Sequence, residues 1–113
     1  MASSMKVKRY SIYWVDLNPV VGSEISKIRP AVVVSDDLMN THLQTVVVCP
    51  LTTKLHPAWR SRIIINCAGK PSEIAVDQIR TVSKIRLKQE VDQLNQTEAE
   101  QLRKLIVEMY GMA

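Results

Sequence analysis

Short runs of β-branched residues recur along most of this chain, and helical spacing takes over only at its end. That pattern limits the fold to a small sheet carrying one substantial helix. Tyr10–Asp16 mixes aromatic and β-branched residues and reads as a strand. Ala31–Ser35 and Thr45–Cys49 are aliphatic runs of the kind found in buried strands, the second expected to end at Pro50. Arg62–Asn66 is another such run. Glu73–Ile79 alternates less cleanly but reads as strand, with Arg80–Val82 as its extension, while Lys84–Leu87 fits a turn or a strand equally. Asp36 can cap a short helical turn over Asp37–His42. The last segment is the clear helix. Thr97 and Glu100 have capping-box spacing, Ala99, Leu102, Leu105, Ile106 and Met109 form one apolar face, and Gly111 stands where a left-handed cap is common. Strands followed by one amphipathic helix predict a small curled sheet or partly open barrel with the helix covering an end.

The chain has 113 residues and no Phe, so one domain with an aliphatic core is expected. Residues 1–7 are expected to be a flexible leader, with the domain running over 8–113. The opening is polar and basic, without the apolar stretch of a signal peptide. No apolar run approaches ~18 residues, so no membrane association is expected and the cytoplasm is the default location. Cys49 and Cys67 are too few and too widely spaced for a disulfide framework. The net charge of +4 permits an anionic partner such as nucleic acid without requiring one.

Three segments carry candidate chemistry. Asn18–Pro30 reads NPVVGSEISKIRP. Its Gly and two Pro residues make it a loop, and it ends on Arg29, which the following proline confines to extended backbone. An arginine held in that way can offer its fork to a phosphate; the plainer alternative is a surface ion pair with Glu24 or Asp36. Pro50–Lys54 reads PLTTK. Its hydroxyls at a strand end can donate to a phosphate oxygen and Lys54 adds charge, although these are also ordinary turn residues. Asp77–Lys84 reads DQIRTVSK. Gln78 can read a base edge and Arg80 and Lys84 are cationic, or the segment is simply a solvated strand face.

Other chemistries lack support. His42 and His56 have no metal-ligand spacing with each other or with the cysteines and read as surface or satisfied histidines. Cys49, after three valines, reads as a small core residue. No P-loop or dinucleotide motif occurs, and neither metal nor cofactor is expected. Trp14 reads as core, while Trp59, in a loop, can serve either packing or base stacking.

Taken together, IYWVDLNPVVGSEISKIRPAVVVSDD, VVVCPLTTK and DQIRTVSKIRL, in this order, resemble the MazF/PemK toxin endoribonuclease family over residues 8 to 110. The resemblance implies an α+β, mostly β fold: an SH3-like antiparallel barrel or curled sheet with a C-terminal helix, as in CcdB, PemK and MazF. It also implies a homodimer that cleaves single-stranded RNA without metal and is neutralised by a cognate antitoxin. By match to the family motif, Arg29 and Thr52 are the catalytic pair. Glu24 falls on a position the family uses either chemically or to organise the loop. Thr53, Gln78 and Arg80 fall where the family lines its RNA groove; Lys27 and Lys54 join them on charge and position. The chain departs from the family at Tyr10–Ser11, where Gly-Asp is usual, and at Ile28, where some members carry His. Two other readings stay open on sequence: a CcdB-like gyrase poison, and a non-catalytic RNA-binding module.

Overall fold

The computed structural model describes residues 6–111. Seven strands and two helices follow in order: β1 (Ser11–Asp16), β2 (Ile28–Val33), α1 (Asp37–His42), β3 (Thr45–Thr52), β4 (Arg62–Cys67), β5 (Lys70–Ala75), β6 (Arg80–Ser83), β7 (Leu87–Gln93) and α2 (Gln96–Tyr110). The strands form one curled antiparallel sheet in the order β4-β5-β3-β2-β1-β7, with β6 also paired to β3. The mostly β architecture with its C-terminal helix is the one expected.

Alternation along the strands builds two cores. Ile12, Val32, Val34, Cys49, Leu51 and Ile74 face one way and are covered by Ala99 and Leu102 of α2. Tyr13, Val15, Ala31, Val33, Val46 and Val48 face the other way and are enclosed by the sheet's own curl, with Val82 and Leu87 closing over them. Both faces being covered explains why β2 and β3 read as unbroken aliphatic runs. Each fully buried Val, Leu or Ile contributes ~1.5–3 kcal/mol.

Several sequence expectations need correction. β3 runs through Pro50 to Thr52, and β2 begins at Ile28, inside the stretch read as loop. Glu73–Ile79 is not one strand. β5 ends at Ala75, a single 3-10 turn occupies Val76–Gln78, and β6 follows. Leu51 pairs with Ile74 but Val48 with Arg80, so the turn loops three residues out of an otherwise continuous ladder along β3. Lys84–Arg86 forms another 3-10 turn, and the polar strand β7 follows it unheralded. The capping box of α2 lies two residues earlier than expected: Asn95 accepts from the Glu98 amide at 2.8 Å and Glu98 accepts from the Asn95 amide at 3.0 Å. Gly111 has φ −78°, not a left-handed cap. Trp14 is 36% exposed rather than core. Residues 1–5 of the expected leader lie outside the described residues; Val7 is buried in the second core, so packing begins inside the stretch read as leader. Cys49 is a buried free thiol, as read, and Cys67 is buried and free as well; burial, with Asp77 adding to it, pushes Cys49 up to about 12. Among the described residues no helix is long and apolar enough to cross a membrane.

Tyr10, at the departure from the family's Gly-Asp, has φ 72°. Glycine enters that region without penalty, whereas a side chain costs ~1–2 kcal/mol there. The family's glycine therefore has a backbone reason, and this chain bears the strain of a tyrosine.

Candidate functional site

The β1–β2 loop is held by side chains that bind its backbone. Glu24 Oε1 accepts from the Val21 amide at 2.6 Å and closes the Gly22 turn. Asn18 Oδ1 accepts from the Lys27 amide at 3.1 Å, and the Leu17 amide donates to the Lys27 carbonyl at 3.0 Å. Gln78, from the 3-10 turn, reaches across to accept from the Ile25 amide at 2.7 Å. Arg80 Nη1 donates to the Leu17 carbonyl at 3.1 Å, and Arg86 Nη1 donates to the carbonyls of Asp16 and Asn18.

Arg29 leaves this loop half-buried, with Nε donating to the Ser26 carbonyl at 3.0 Å. The alternative partners, Glu24 and Asp36, make no ion pair with it among the described residues. The other guanidinium nitrogens keep their donors free of any described protein acceptor. The β2–β3 ladder pairs Val33 with Val48 and Ala31 with Pro50. Continued two residues, that register aligns Arg29 with Thr52. Residues at alternate positions share a face, so Arg29 follows Ala31 and Val33 while Thr52 follows Pro50 and Val48, on the same face. Pro30 and Pro50, which have no N–H, stand where the ladder stops. Arg29 and Thr52, distant along the chain, are thus brought to matching positions on adjacent strands.

Thr52 opens onto a cleft of roughly 410 Å³. Ser23 and Ile25 of the loop form one wall, and Thr52 and Lys54 form its floor. His56, Trp59 and Arg62 form the far wall, and Asp77 and Gln78 lie at its end. The Thr52 hydroxyl accepts from the Lys54 amide at 3.1 Å, which leaves its own proton to donate outward. Of the expected RNA-contacting residues, Lys54 and Gln78 line the cleft. Gln78 has its carbonyl committed to Ile25 and only its amide nitrogen free. Lys27, Thr53 and Arg80 do not line it. Arg80 is occupied in holding Leu17, and Glu24 in closing its turn; both act on the loop rather than in the cleft. Lys27 is exposed with φ 71°, at the entry to β2.

The far wall is a network that sequence reasoning missed. Glu73 of β5 is fully buried. It accepts from the His56 amide, from His56 Nδ1 at 3.1 Å and from Arg62 Nη1 at 2.8 Å. Arg62 also donates through Nε to Asp77 at 2.8 Å and lies over the Trp59 ring, 4.6 Å from its centroid. His56 and Trp59 stack with ring centroids 3.9 Å apart. Burial by itself would raise the Glu73 carboxyl, but the His56 amide and ring and the Arg62 guanidinium outweigh it and hold it below the ordinary range. Asp77 is likewise held low: burial raises it, and Arg62 with Ser61 overcomes that. The sequence carried little signal for this network, since the partners of Glu73 are 17 and 11 residues away and β5, reading KPSEIA, does not mark its carboxylate as buried.

The family model for the PemK-like, MazF-like toxins of type II toxin–antitoxin systems matches residues 8–110. This chain belongs to that family. The PemK/MazF assignment agrees with its relatives. Endoribonuclease EndoA of Bacillus subtilis is 34% identical over 96 residues, covering 80% of this chain and 83% of the relative. Endoribonuclease MazF of Staphylococcus saprophyticus is 34% identical over 97 residues, covering 79% and 78%. The fold matches MazF from Deinococcus radiodurans with a TM-score of 0.84 at 18% identity, covering 96% of this chain and 100% of that one. A mycobacterial endoribonuclease solved in complex with its cognate antitoxin matches with a TM-score of 0.78 at 18% identity, covering 95% and 97%.

Proposed function

We propose that this PemK/MazF chain is a sequence-selective, metal-independent endoribonuclease toxin acting on single-stranded RNA in the cytoplasm. Two relatives that share a third of its residues over most of both chains are named endoribonucleases. The observation that best supports the same activity here is the strand register that aligns Arg29 with Thr52, the threonine lining an open cleft that Arg29 itself does not line.

The reaction is attack by the ribose 2′-hydroxyl on the adjacent phosphorus, leaving a 2′,3′-cyclic phosphate and a 5′-hydroxyl. RNA supplies its own nucleophile, so the protein has to orient the backbone and stabilise charge on the phosphorane. Arg29, with donors to spare, meets the equatorial oxygens; a guanidinium does not give up its proton readily, so its role is charge stabilisation. Thr52, its hydroxyl proton turned outward, donates to a non-bridging oxygen. Lys54 adds positive charge along the strand, Gln78 offers its amide nitrogen to a base, and Trp59, half exposed, offers a stacking face. Glu24 serves the reaction by fixing the loop that delivers Arg29. A homodimer, and a cognate antitoxin laid over the basic groove, follow the pattern of the family.

The test is incubation of the purified protein with single-stranded RNA in EDTA, followed by analysis of the ends. Cyclic-phosphate and 5′-hydroxyl ends support the proposal. RNA left intact while supercoiling by gyrase is inhibited indicates a poison, RNA bound but uncut indicates a binding module, and rescue by magnesium indicates a metal nuclease.

A further inference from the structure

We propose that His56 is the general base of this reaction, taking the 2′-hydroxyl proton at Nε2. The inference rests on the RNA-cleavage reading and deepens it, because the residues considered so far leave that proton without an acceptor.

Four observations carry it. First, the ring lines the same cleft as Thr52. Second, Nδ1 lies 3.1 Å from Glu73, a buried carboxylate held ionised by its partners. A carboxylate only accepts, so Nδ1 carries the proton and the lone pair of the neutral ring falls on Nε2. Third, stacking on Trp59 and the Glu73 contact fix the plane of the ring, and Nε2 meets no described protein partner although the side chain remains 23% exposed. Fourth, Arg62 is divided between Glu73 and Asp77, so a full negative charge remains beside the ring to steady the imidazolium that forms when Nε2 takes the proton. The pair repeats the carboxylate–imidazole logic by which proteins set a base tautomer.

The charged groups around the ring are Glu73 of β5, Arg62 of β4 with its nearest nitrogen 3.5 Å from Nδ1, Asp77 bound to the far side of Arg62, and Lys54 in the same cleft. In the step itself, the O2′–P bond forms as the 2′-hydroxyl proton passes to Nε2. The P–O5′ bond breaks, water protonates O5′, and the imidazolium returns its proton to solvent. Arg29 and Thr52 hold the phosphate throughout.

The experiment compares the full chain with His56→Ala on one RNA across pH. A general base is worth ~10²–10⁴-fold, so the variant should lose at least a hundredfold, lack the rise in rate with pH shown by the wild type, and recover in part with added imidazole. His56→Asn keeps an N–H for Glu73 but has no basic nitrogen; it should fold and stay slow at every pH, and it carries the test if the alanine variant does not fold. An RNA with sulfur replacing O5′, whose leaving group needs no proton, should leave His56→Ala slow; rescue by that substrate would make His56 an acid and overturn the proposal. A variant with wild-type rate and pH profile would overturn it too while leaving the cleavage reading intact. Failure of the wild type to cut RNA would end both.

Discussion

The two sides of the cleft are built by different physics. The side formed by Ser23 and Ile25 belongs to the exposed loop that leads into Arg29, and its shape is set by single hydrogen bonds from Glu24, Asn18, Gln78 and Arg80 to its backbone. The opposite side is a buried ion-pair network in which Glu73 is shared between His56 and Arg62 and Asp77 completes Arg62. Hydrogen bonds at an exposed loop contribute about 1 kcal/mol each and can be lost one at a time. A buried charge left without its partner destabilises the whole element that carries it. The loop side is therefore suited to adapt to a substrate, and the network side to hold side chains rigid against it.

Substitutions should separate the two. Arg29→Ala should remove cleavage almost entirely, by ~10³-fold or more if the guanidinium is the main charge stabiliser, with a thermal midpoint close to wild type. A large loss of stability instead would place Arg29 in the structure rather than the chemistry. Arg62→Ala should do the reverse in kind: leaving Glu73 buried without its opposite charge, with only the His56 amide and ring as partners, costs ~3–5 kcal/mol, read by urea unfolding. Acid probes the same side. Glu73 and Asp77 titrate lower folded than unfolded, so their contribution is present above their ordinary values of 4.5 and 3.8 and is lost as pH falls through the folded ones. Unfolding midpoints should drop on acidification below about pH 5, and Glu73→Gln should flatten that slope; an unchanged slope would remove the network from the account. Back on the loop, Gln78→Ala should cost only ~1 kcal/mol in stability. Lys27→Gly is the smallest change: it relieves a positive φ and should leave stability equal or raise it by up to ~1 kcal/mol, measured by thermal unfolding.

The same contrast explains what the sequence revealed. β1, β2, β3 and α2 were legible because burial writes period and composition into them, and Arg29 and Thr52 could be singled out as candidates because they sit in continuous motifs. β7 was not, because LKQEVDQ pairs along β1 with mostly exposed side chains and keeps little hydrophobic signature. The break between β5 and β6 was hidden because Val76 and Ile79, in and beside the 3-10 turn, are as apolar as strand residues. His56, Arg62, Glu73 and Asp77 were hidden for a different reason: each is unremarkable alone, and only the β4–β5 pairing, with Ile63 against Ile74, and the fold of the preceding loop bring them together. Arg80 was singled out, but it holds the loop instead of lining the cleft, and Glu24 takes the loop-organising one of the two roles read for it.

The central claim is that Arg29 and Thr52 act together on one phosphate. The direct measurement is a double-mutant cycle on the single-turnover cleavage rate, with Arg29→Ala, Thr52→Val and the pair. Groups that act as a unit are strongly non-additive, so the double variant should be scarcely slower than Arg29→Ala alone. Fully additive losses would mean that the two residues act independently and would contradict the account.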